Sequence, residues 1–426
     1  MFIKEVGNKI FMNHNKLTSI FNEPAQITRW HDKEPTGAQG WIVIDTLNNG
    51  VASGGLFMHS EATFLEVAAL AKTMSYKNAL QTPIIGGAKG GIQFNHNHPE
   101  AKNVLKRFLA DHRHQIEKFW STGSDLNTNN DFIQHTIMQA LNLSSGFVSV
   151  GKMLSKFYDI PDQSRFFLDR ISQPVPPYFT LAGCATGYSI NTCVSYFCRP
   201  DARVIIQGWG NVGRSAAYFL QKYSKCKIVG IIEKDFFIYH EDGLDINDLL
   251  NDVNLKEEIN CALPQIGAKR YFIMRRPSRK NDEDFLIFCL SKISADIFCP
   301  CATRYAITNS VAETLLKHTF IKNPHKSWVI SGANNVFLNE MVIMKLEQSK
   351  VNVLPEWISN SGNSLVYNEV LKKESFSSLV EESLSNVKNS IINFLDEALA
   401  HIIARKSNYQ QYHDLIESKF NNIHST

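Results

Sequence analysis

The chain has 426 residues, of which 44% are hydrophobic and 20% are charged, as is typical of a globular protein. Single domains usually run to about 100 to 200 residues, so this length predicts two domains. With 44 basic and 41 acidic residues the formal net charge is only +3, and no long run of Lys or Arg is present. The charge balance therefore argues against nucleic acid as a main partner.

No apolar run is long enough to cross a bilayer, and the first residues lack the continuous apolar stretch of a secretory signal. All eight cysteines lie between Cys184 and Cys301, a poor disulfide framework for a secreted protein. We therefore expect reduced thiols, no membrane partner and a cytoplasmic location. Cys299 and Cys301 form a CxC pair without a second pair at ligand spacing, which predicts buried thiols and no metal site.

The first part of the chain mixes short strands with helices. WIVID at 41–45 is strand-like, an Asn-Asn-Gly turn signal follows, and the next residues are again extended, which predicts a hairpin. Ser60 is expected to cap the helix that comes next. We interpret residues 1–170 as one α/β domain.

From about residue 174 strands and helices alternate. RVIIQ, KIVGII, ADIFC and SWVIS are short apolar runs rich in β-branched residues, typical of parallel strands buried on both faces. They predict a doubly wound α/β domain over 175–355. The charged stretch between about 255 and 295 is interpreted as a surface insertion. Beyond 375 apolar residues recur at helical spacing, and we expect 356–426 to pack back on the first domain.

RVIIQ runs directly into GWGNVG at 208–213 and then into a helical pattern, which gives strand, glycine turn and helix in order. Gly208 would form the tight turn, Gly210 would let the backbone approach a pyrophosphate, and Gly213 would let helix and strand pack closely. Asn211 and Val212 would lie at the helix N-terminus that receives the phosphates. This context disfavours the alternative that the glycines merely shape a turn.

Glu233 ends the next strand, 20 residues after Gly213. A carboxylate there can accept hydrogen bonds from the adenosine ribose hydroxyls and repel a 2′-phosphate. We therefore predict NAD as the cofactor and regard NADP as the less favoured alternative, which Lys234 could support by meeting a phosphate.

Lys77 in MSYKNA and Lys89 in GGAKGGI lie 12 residues apart. Gly and Ala residues surround Lys89, and such small neighbours permit close approach of a backbone and a ligand. A poorly hydrated lysine can act as an acid and as a base. Asp125 in GSDLNT places a carboxylate in a polar loop, where it could exchange protons with an amine. Taken one at a time, Lys77 and Lys89 are more simply interpreted as solvated surface charges, and Asp125 as a turn residue.

Taken together, MSYKNA, GGAKGGI, GSDLNT and GWGNVG resemble the signatures of the glutamate, leucine, phenylalanine and valine dehydrogenases, in that family's order from about residue 40 to 370. ATG at 185–187, PCA at 300–302 and GANN at 332–335 are further matches. The resemblance implies an N-terminal α/β substrate domain, a Rossmann dinucleotide-binding domain, an active site in the cleft and a homo-oligomer.

The resemblance also implies reversible oxidative deamination of an L-amino acid. Lys77 would hold the substrate α-carboxylate, Lys89 would be the catalytic lysine, and Asp125 would move protons to and from the amino group. The cofactor side would include Thr186 at the nicotinamide carboxamide, Asn334 near the nicotinamide ribose, and Ala302.

Ser53 precedes Gly54 and Gly55 at the position where glutamate-specific members carry a lysine. Burying a second carboxylate without a cation is costly, so Ser53 predicts a neutral, aliphatic or aromatic substrate side chain. Ser364 and Tyr367, in a stretch that resembles the family's second pocket-lining segment, are further candidates for substrate binding. Glutamate is the alternative substrate. A non-catalytic dinucleotide-binding homologue is the alternative from another class, against which the two lysines and the carboxylate argue.

Overall fold

The computed structural model describes residues 24–158, 164–251, 271–278, 281–372, 378–401 and 408–425. The N-terminal residues 1–23, on which the absence of a secretory signal was predicted, lie outside this part of the chain. The described residues form two compact units. The first unit contains those within 24–173, 364–383 and 419–425, and the second contains those within 174–363 and 384–418. None of the described helices is both long and apolar enough to cross a membrane.

Six strands and a set of short helices build the N-terminal part of the first unit. The strands are β1 Gln26–His31, β2 Gln39–Ile44, β3 Ala52–Ser53, β4 Leu56–His59, β5 Gly86–Gln93 and β6 Trp120–Ser121. The helices are α1 Phe64–Ala79, α2 Ala101–Asp111, α3 Arg113–Lys118, α4 Met138–Ala140, which follows a π-helical turn at Phe132–Ile137, α5 Val148–Tyr158 and α6 Ser164–Ile171.

The sheet of the first unit has the order β1-β2-β5-β3-β6, with β4 also paired to β5. The predicted hairpin is wrong, because β5 lies between β2 and β3 and pairs with both. The Asn-Asn-Gly signal does mark a turn, where an isolated antiparallel bridge joins Asn48 and Val51. A strand contributed from later in the chain therefore occupies the position that a hairpin partner would take.

The helix α1 begins after Thr63, whose hydroxyl accepts a hydrogen bond from the Glu66 N–H at 3.2 Å. The predicted cap, Ser60, lies in a turn closed by the Ala62 N–H and the His59 carbonyl at 3.1 Å. The helix therefore starts three residues later than the sequence suggested.

The central strand β5 explains why GGAKGGI consists almost entirely of small residues. A Cβ at Gly86 would lie 2.0 Å from the Thr46 carbonyl oxygen, and one at Gly87 would lie 2.3 Å from the Ser75 nitrogen. The sheet neighbour and helix α1 thus pack directly on the strand backbone. The glycines were predicted to make room for a ligand, but at these two positions the space is filled by the chain itself.

The second unit begins with a short strand pair and continues with a large sheet flanked by helices. Its strands are β7 Pro174–Val175, β8 Phe179–Thr180, β9 Arg203–Gln207, β10 Lys227–Ile232, β11 Phe236–Tyr239, β12 Phe272–Arg275, β13 Ile297–Pro300, β14 Trp328–Val329 and β15 Asn352–Val353. Its helices are α7 Leu181–Phe197, α8 Asn211–Lys222, α9 Ile246–Asn251, α10 Asp282–Leu290, α11 Asn309–Thr314, α12 Glu340–Gln348 and α13 Glu356–Ser359, with a π-helical turn at Leu315–Thr319 and a 3-10 turn at Pro324–Lys326. The last three helices are α14 Gly362–Leu371, α15 Leu379–His401 and α16 Asn408–Ser425.

The large sheet has the order β12-β11-β10-β9-β13-β14-β15. Five neighbouring strands of this sheet, β10, β9, β13, β14 and β15, are parallel, and all four predicted apolar runs form strands among them. The prediction of a doubly wound α/β fold is confirmed. The chain leaves β9 for β10 on one side and returns to β13 on the other, which makes the carboxyl end of β9 a switch point where ligands bind in such sheets.

The interpretation of 255–295 as a surface insertion is wrong for its described part. β12 extends the sheet as an antiparallel edge strand beside β11. Helix α10 buries Phe285 and Leu286 in the core of the unit. Its charges are concentrated in the first helical turn, which Asn281 caps by accepting the Asp284 N–H at 2.8 Å. The residues 252–270 lie outside the described part.

The C-terminal segment divides between the two units. Residues 364–383 belong to the first unit, as predicted, but 384–418 belong to the second. Trp357 shows why: its ring lies 5.5 Å from that of Phe394 in α15, and its Nε1 donates to Nε2 of His413 in α16 at 3.0 Å. The expectation that all of 356–426 returns to the first domain is therefore wrong for 356–363 and for 384–418, which make up most of the two long helices, whereas 419–425 belong to the first unit.

An ion pair ties β1 to α2 in the first unit. Arg107 donates to both oxygens of Asp32, from Nε at 2.8 Å and from Nη2 at 2.7 Å. The Asp32 side chain is fully buried. The hydrogen bonds from Arg107 outweigh the opposing effect of burial and lower the pKa of Asp32 from its ordinary value of 3.8 to about 2.

We predict that Arg107→Gln destabilises the fold by about 1 to 2 kcal/mol at neutral pH. A carboxylate with a depressed folded pKa stabilises the fold above its unfolded pKa, and this contribution is lost as the pH falls from 3.8 to about 2. The difference between variant and wild type in thermal unfolding should therefore shrink over that range. As a control, Lys33→Gln should change stability little, since Lys33 is an exposed partner of Asp111. An equal loss at neutral and acid pH would contradict the ion-pair explanation.

Candidate active site

The structure brings Lys89 and Asp125 together in the first unit. Lys89 lies on β5, where it is only 2% exposed, and its Nζ donates a hydrogen bond to Oδ2 of Asp125. The loop of Asp125 is fixed against β4, because the Asp125 N–H donates to the Leu56 carbonyl at 3.0 Å. Thr128 adds a hydroxyl that accepts from the same N–H at 2.9 Å. The predicted acid and base are thus held in direct contact by a strand and a braced loop.

The surroundings of Asp125 favour its ionised form. Burial opposes ionisation of Asp125, but the charge and hydrogen bond of Lys89 lower its pKa below the ordinary value. The Leu126 N–H, which donates to Oδ1 at 2.7 Å, and the positive charge of Lys77 act in the same direction. Asp125 is therefore ionised at neutral pH and can accept a proton.

Lys77 supplies a second positive charge to this site. It lies in the last turn of α1 and is 5% exposed. Its field reaches Asp125, since it contributes to the lowered pKa of that carboxyl. Both lysines singled out in the sequence therefore act on the Asp125 carboxyl, although Lys77 lies 48 positions before it in the chain.

Small residues between β3 and β4 allow the strands to close around this site. A Cβ at Gly54 would lie 1.6 Å from the Ala88 carbonyl oxygen, and one at Gly55 would lie 3.0 Å from the Cβ of Asp125. Ser53 is 6% exposed and pairs in the sheet with Gly87. The two glycines are required by the packing around Lys89 and Asp125, and a substrate-binding role for Ser53, Gly54 and Gly55 stays a prediction.

Ser364 and Tyr367 lie on α14, in the same unit. Ser364 is 6% exposed, and burial raises the pKa of Tyr367 to about 12. The Tyr367 ring meets Phe147 and Phe167 edge-on, with centroids 6.2 and 5.3 Å away. Phe147 in turn lies 3.5 Å from the position of a Cβ at Gly123, two residues before Asp125. The sequence analysis missed the two phenylalanines, because nothing in their local pattern links them to residue 367.

The glycine turn between β9 and α8 has the geometry that the motif predicts. Gly208 has φ +95°, a left-handed conformation that favours glycine. A Cβ at Gly213 would lie 1.9 Å from the Gly208 carbonyl oxygen, so only glycine lets helix and strand pack here. A Cβ at Gly210 would meet nothing within 4 Å. Asn211 begins α8, and no side chain caps the N-terminus of this helix. Val212 packs on the loop at Gly332.

Glu233 follows β10 and braces this turn. Its Oε2 accepts a hydrogen bond from the Trp209 N–H at 2.6 Å, and its Oε1 accepts one from the Lys234 N–H at 2.9 Å. The carboxylate is therefore attached to the glycine turn itself, where it presents negative charge beside the open space at Gly210.

Two family models match the chain over most of its length. The model described as Glu/Leu/Phe/Val dehydrogenase, dimerisation domain, matches residues 24–142. The model described as Glutamate/Leucine/Phenylalanine/Valine dehydrogenase matches residues 182–423. The chain belongs to this family.

Curated relatives support the membership at low identity. The glutamate dehydrogenase of Thermotoga maritima is 24% identical over 387 residues, which cover 87% of this chain and 80% of the relative. The NAD-specific glutamate dehydrogenase of Peptoniphilus asaccharolyticus is 23% identical over 77% of this chain and 71% of the relative. The NADP-specific glutamate dehydrogenase of Saccharolobus shibatae is 24% identical over 83% of this chain and 78% of the relative.

Solved structures of the family share the fold. The hetero-hexameric glutamate dehydrogenase of Thermus thermophilus, in a leucine-bound form, matches with a TM-score of 0.65 and 16% identity, over 98% of this chain and 95% of that one. The glutamate dehydrogenase of Peptoniphilus asaccharolyticus matches with a TM-score of 0.60 and 17% identity, over 99% and 97%.

The nicotinamide cofactor that the Glu/Leu/Phe/Val dehydrogenases bind fits the residues of this turn. The left-handed Gly208, the open space at Gly210 and the uncapped start of α8 together form a cradle that a side chain would fill. Such a helix N-terminus offers backbone N–H groups to a pyrophosphate. The turn therefore meets the requirements of the family's cofactor.

Three further cofactor candidates lie in the same unit. Ala302 packs on Gly208, Thr186 is buried in α7, and Oδ1 of Asn334 accepts a hydrogen bond from Asn360 at 2.9 Å. Asn360 was not predicted, since its role depends on a contact across 26 residues. The predicted roles of these residues in cofactor binding stay predictions.

The CxC pair of this unit has the geometry of neighbouring thiols. The sulfur atoms of Cys299 and Cys301 lie 3.6 Å apart. The hydrogen bond between them and burial raise the pKa of Cys299 well above its ordinary value. Within the described residues, no group of three or more His, Cys, Asp or Glu could hold a metal.

The two glycines of the turn give opposite predictions. Gly210→Ala should leave thermal unfolding unchanged but weaken NADH binding on the order of tenfold, by blocking hydrogen bonds to a charged group. Gly213→Ala should destabilise the fold by about 1 to 3 kcal/mol, because its methyl group meets the Gly208 carbonyl. Thermal melts and fluorescence titration with NADH measure both effects. Wild-type NADH affinity in Gly210→Ala would count against the turn as the cofactor site.

Proposed function

We propose that the chain catalyses the reversible, NAD-dependent oxidative deamination of an L-amino acid to the 2-oxo acid and ammonia. The observation that carries this proposal is the contact between the Lys89 ammonium and the ionised Asp125, with Lys77 acting on the same carboxyl. Binding of a dinucleotide requires none of the three. Their assembly therefore favours an enzyme over a non-catalytic binding homologue.

Each of the three residues has a defined task in this reaction. The bound nicotinamide supplies the hydride acceptor for the substrate Cα. Lys77 would hold the α-carboxylate, and Lys89 would orient a water molecule toward the imino carbon and stabilise the developing negative charge on oxygen. Asp125 would accept a proton from the amino group and return one to the departing ammonia.

Glu233 supports NAD as the cofactor. Its carboxylate is held beside the glycine turn by two backbone N–H groups, and a negative charge there repels the 2′-phosphate of NADP. The relatives include NAD-specific and NADP-specific glutamate dehydrogenases, so the preference rests on this residue.

We further propose a substrate with a neutral side chain, on the ground that Ser53 carries no charge where glutamate-specific members have a lysine. A second carboxylate buried without a cation would be strongly disfavoured. Glutamate is the second candidate, and the names of the relatives favour it. The two candidates differ in a single measurable property, the charge of the accepted side chain.

We also infer that the chain assembles with copies of itself. The match of 24–142 to a dimerisation-domain model supports this. The cytoplasmic location stays a prediction from cysteine usage.

A panel of L-amino acids should separate the two substrate candidates. NADH formation is followed by absorbance at alkaline pH. We expect NADH to form with leucine, valine or phenylalanine and to form only weakly with glutamate. NADP in place of NAD should lower the rate, because Glu233 repels the additional phosphate. Turnover of glutamate alone would refute the argument from Ser53 and leave the dehydrogenase proposal in place.

Replacing Lys89 should separate chemistry from cofactor binding. Lys89→Met is expected to lower kcat by about 10²- to 10⁴-fold, the range for loss of an acid–base group, with NADH binding retained. Burial would then raise the pKa of Asp125 against only the Leu126 N–H and the charge of Lys77, so residual activity should require a higher pH. Lys72→Met is the control, since Lys72 is a buried lysine of α1 that lies over the Tyr76 ring. Equal losses in both variants would indicate general damage to the unit.

A further inference from the structure

A buried amide side chain on α14 holds the turn between α1 and β5. Oδ1 of Asn368 accepts a hydrogen bond from the Ile84 N–H at 2.9 Å. Its Nδ2 donates to Oδ1 of Asn78 at 3.0 Å and to the Ser364 carbonyl at 3.0 Å. Asn368 is 0% exposed, and its bonds to Asn78 and Ser364 are buried, whereas the bond from Ile84 is partly buried. Both ends of this amide are therefore used.

Asn78 continues the network to the start of β5. Its Nδ2 donates to the carbonyls of Ile85 at 3.3 Å and Gly86 at 3.2 Å. Asn78 is 2% exposed. The two amides together connect the end of α1, the turn that follows it, the first residue of β5 and the helix α14.

The elements that the amide pair joins carry the proposed chemistry. Lys77 is the neighbour of Asn78 at the end of α1, and Lys89 follows Gly86 by three residues on β5. Helix α14 carries Ser364 and Tyr367, the candidates for recognition of the substrate side chain. The amide pair thus connects the elements that carry Lys77, Lys89 and the predicted side-chain site, and so holds these three parts in place relative to one another.

We propose that Asn368 is a positioning residue that, through Asn78, sets the spacing of Lys77 and Lys89 and the register of α14 against them. The inference rests on the proposed function. Buried amide bonds are directional, so losing one partner leaves the other unsatisfied and lets the backbone shift. A shift of about 1 Å in the substrate site is enough to cost on the order of 100-fold in rate.

The variants Asn368→Ala and Asn78→Ala test the pair from both sides. Both are expected to lower kcat/KM for the amino acid by about 10- to 100-fold, through KM where Lys77 is displaced and through kcat where Lys89 is displaced, with the KM for NAD unchanged. The ratio of kcat/KM for the best amino acid to that for the second-best should fall, because α14 is no longer held in a fixed position against α1 and β5. The double variant should lose little more than the worse single variant, as expected for residues of one network.

Gln81→Ala is the matched control. Gln81, in the turn that follows α1, also bonds to α14, since its side-chain amide donates to the Leu365 carbonyl at 3.2 Å. Asn78 and Asn368 differ from it in that they bond to each other and, through Asn78, to the start of β5. Gln81→Ala should lower stability slightly and leave kcat/KM for the amino acid and the discrimination between amino acids unchanged. Thermal melts and NADH titration of all variants show that the chain is folded before kinetics are compared.

The outcomes separate this proposal from the one it rests on. A wild-type chain that turns over no amino acid overturns both. Wild-type turnover together with unchanged amino-acid kcat/KM and discrimination in Asn368→Ala and Asn78→Ala overturns the positioning role alone. The same follows if Gln81→Ala reproduces their kinetics, or if neither variant folds, because the pair would then serve stability only.

Discussion

The contact between Lys89 and Asp125 is the interaction on which the proposed chemistry depends. Burying the Lys89 ammonium costs several kcal/mol, and the cost is recovered only when its partner is well placed and the partner's remaining lone pairs are used. The Asp125 side chain is only partly buried, with 33% of its surface exposed. Here the Leu126 N–H bonds to the second carboxylate oxygen, and the loop is anchored on β4. An active site can keep such a pair because the same charges that are costly to bury are needed to move protons.

The glycine-rich β5 makes this contact possible. A lysine on a central strand would normally be surrounded by bulky side chains, but the strand's neighbours pack on its backbone instead. Glycine weakens a strand through its conformational entropy, and the close packing of α1 and the neighbouring strands offsets that loss. The site and the fold of the first unit are therefore built by the same residues, and changes in GGAKGGI should affect both.

The parts that the sequence predicted are those that local pattern determines. Runs of β-branched residues buried on both faces predicted β9, β10, β13 and β14, and the glycine motif predicted the tight turn at Gly208. The sequence analysis did not identify β5 as a strand, since glycine has low strand propensity. It also missed β12 and α10, where charges at the surface obscure an apolar face. Pairing of β5 with β2 and β3, and the contact of α15 with Trp357, depend on distant residues that no local pattern reveals.

Family membership constrains the reaction more strongly than the substrate. In the proposed reaction Lys77, Lys89 and Asp125 act on the carboxylate, the amino group and the α-carbon, which all amino acids share, so low overall identity is compatible with their retention. The side chain of the substrate is recognised by other residues, and a single neutral residue in place of a cation can exclude a second carboxylate. Relatives named for glutamate thus carry information about the shared chemistry, whereas Ser53 and the aromatic surroundings of Tyr367 carry information about this chain. Tyr367 packs edge-on against Phe147 and Phe167, so an apolar cluster surrounds this predicted substrate-binding residue of α14.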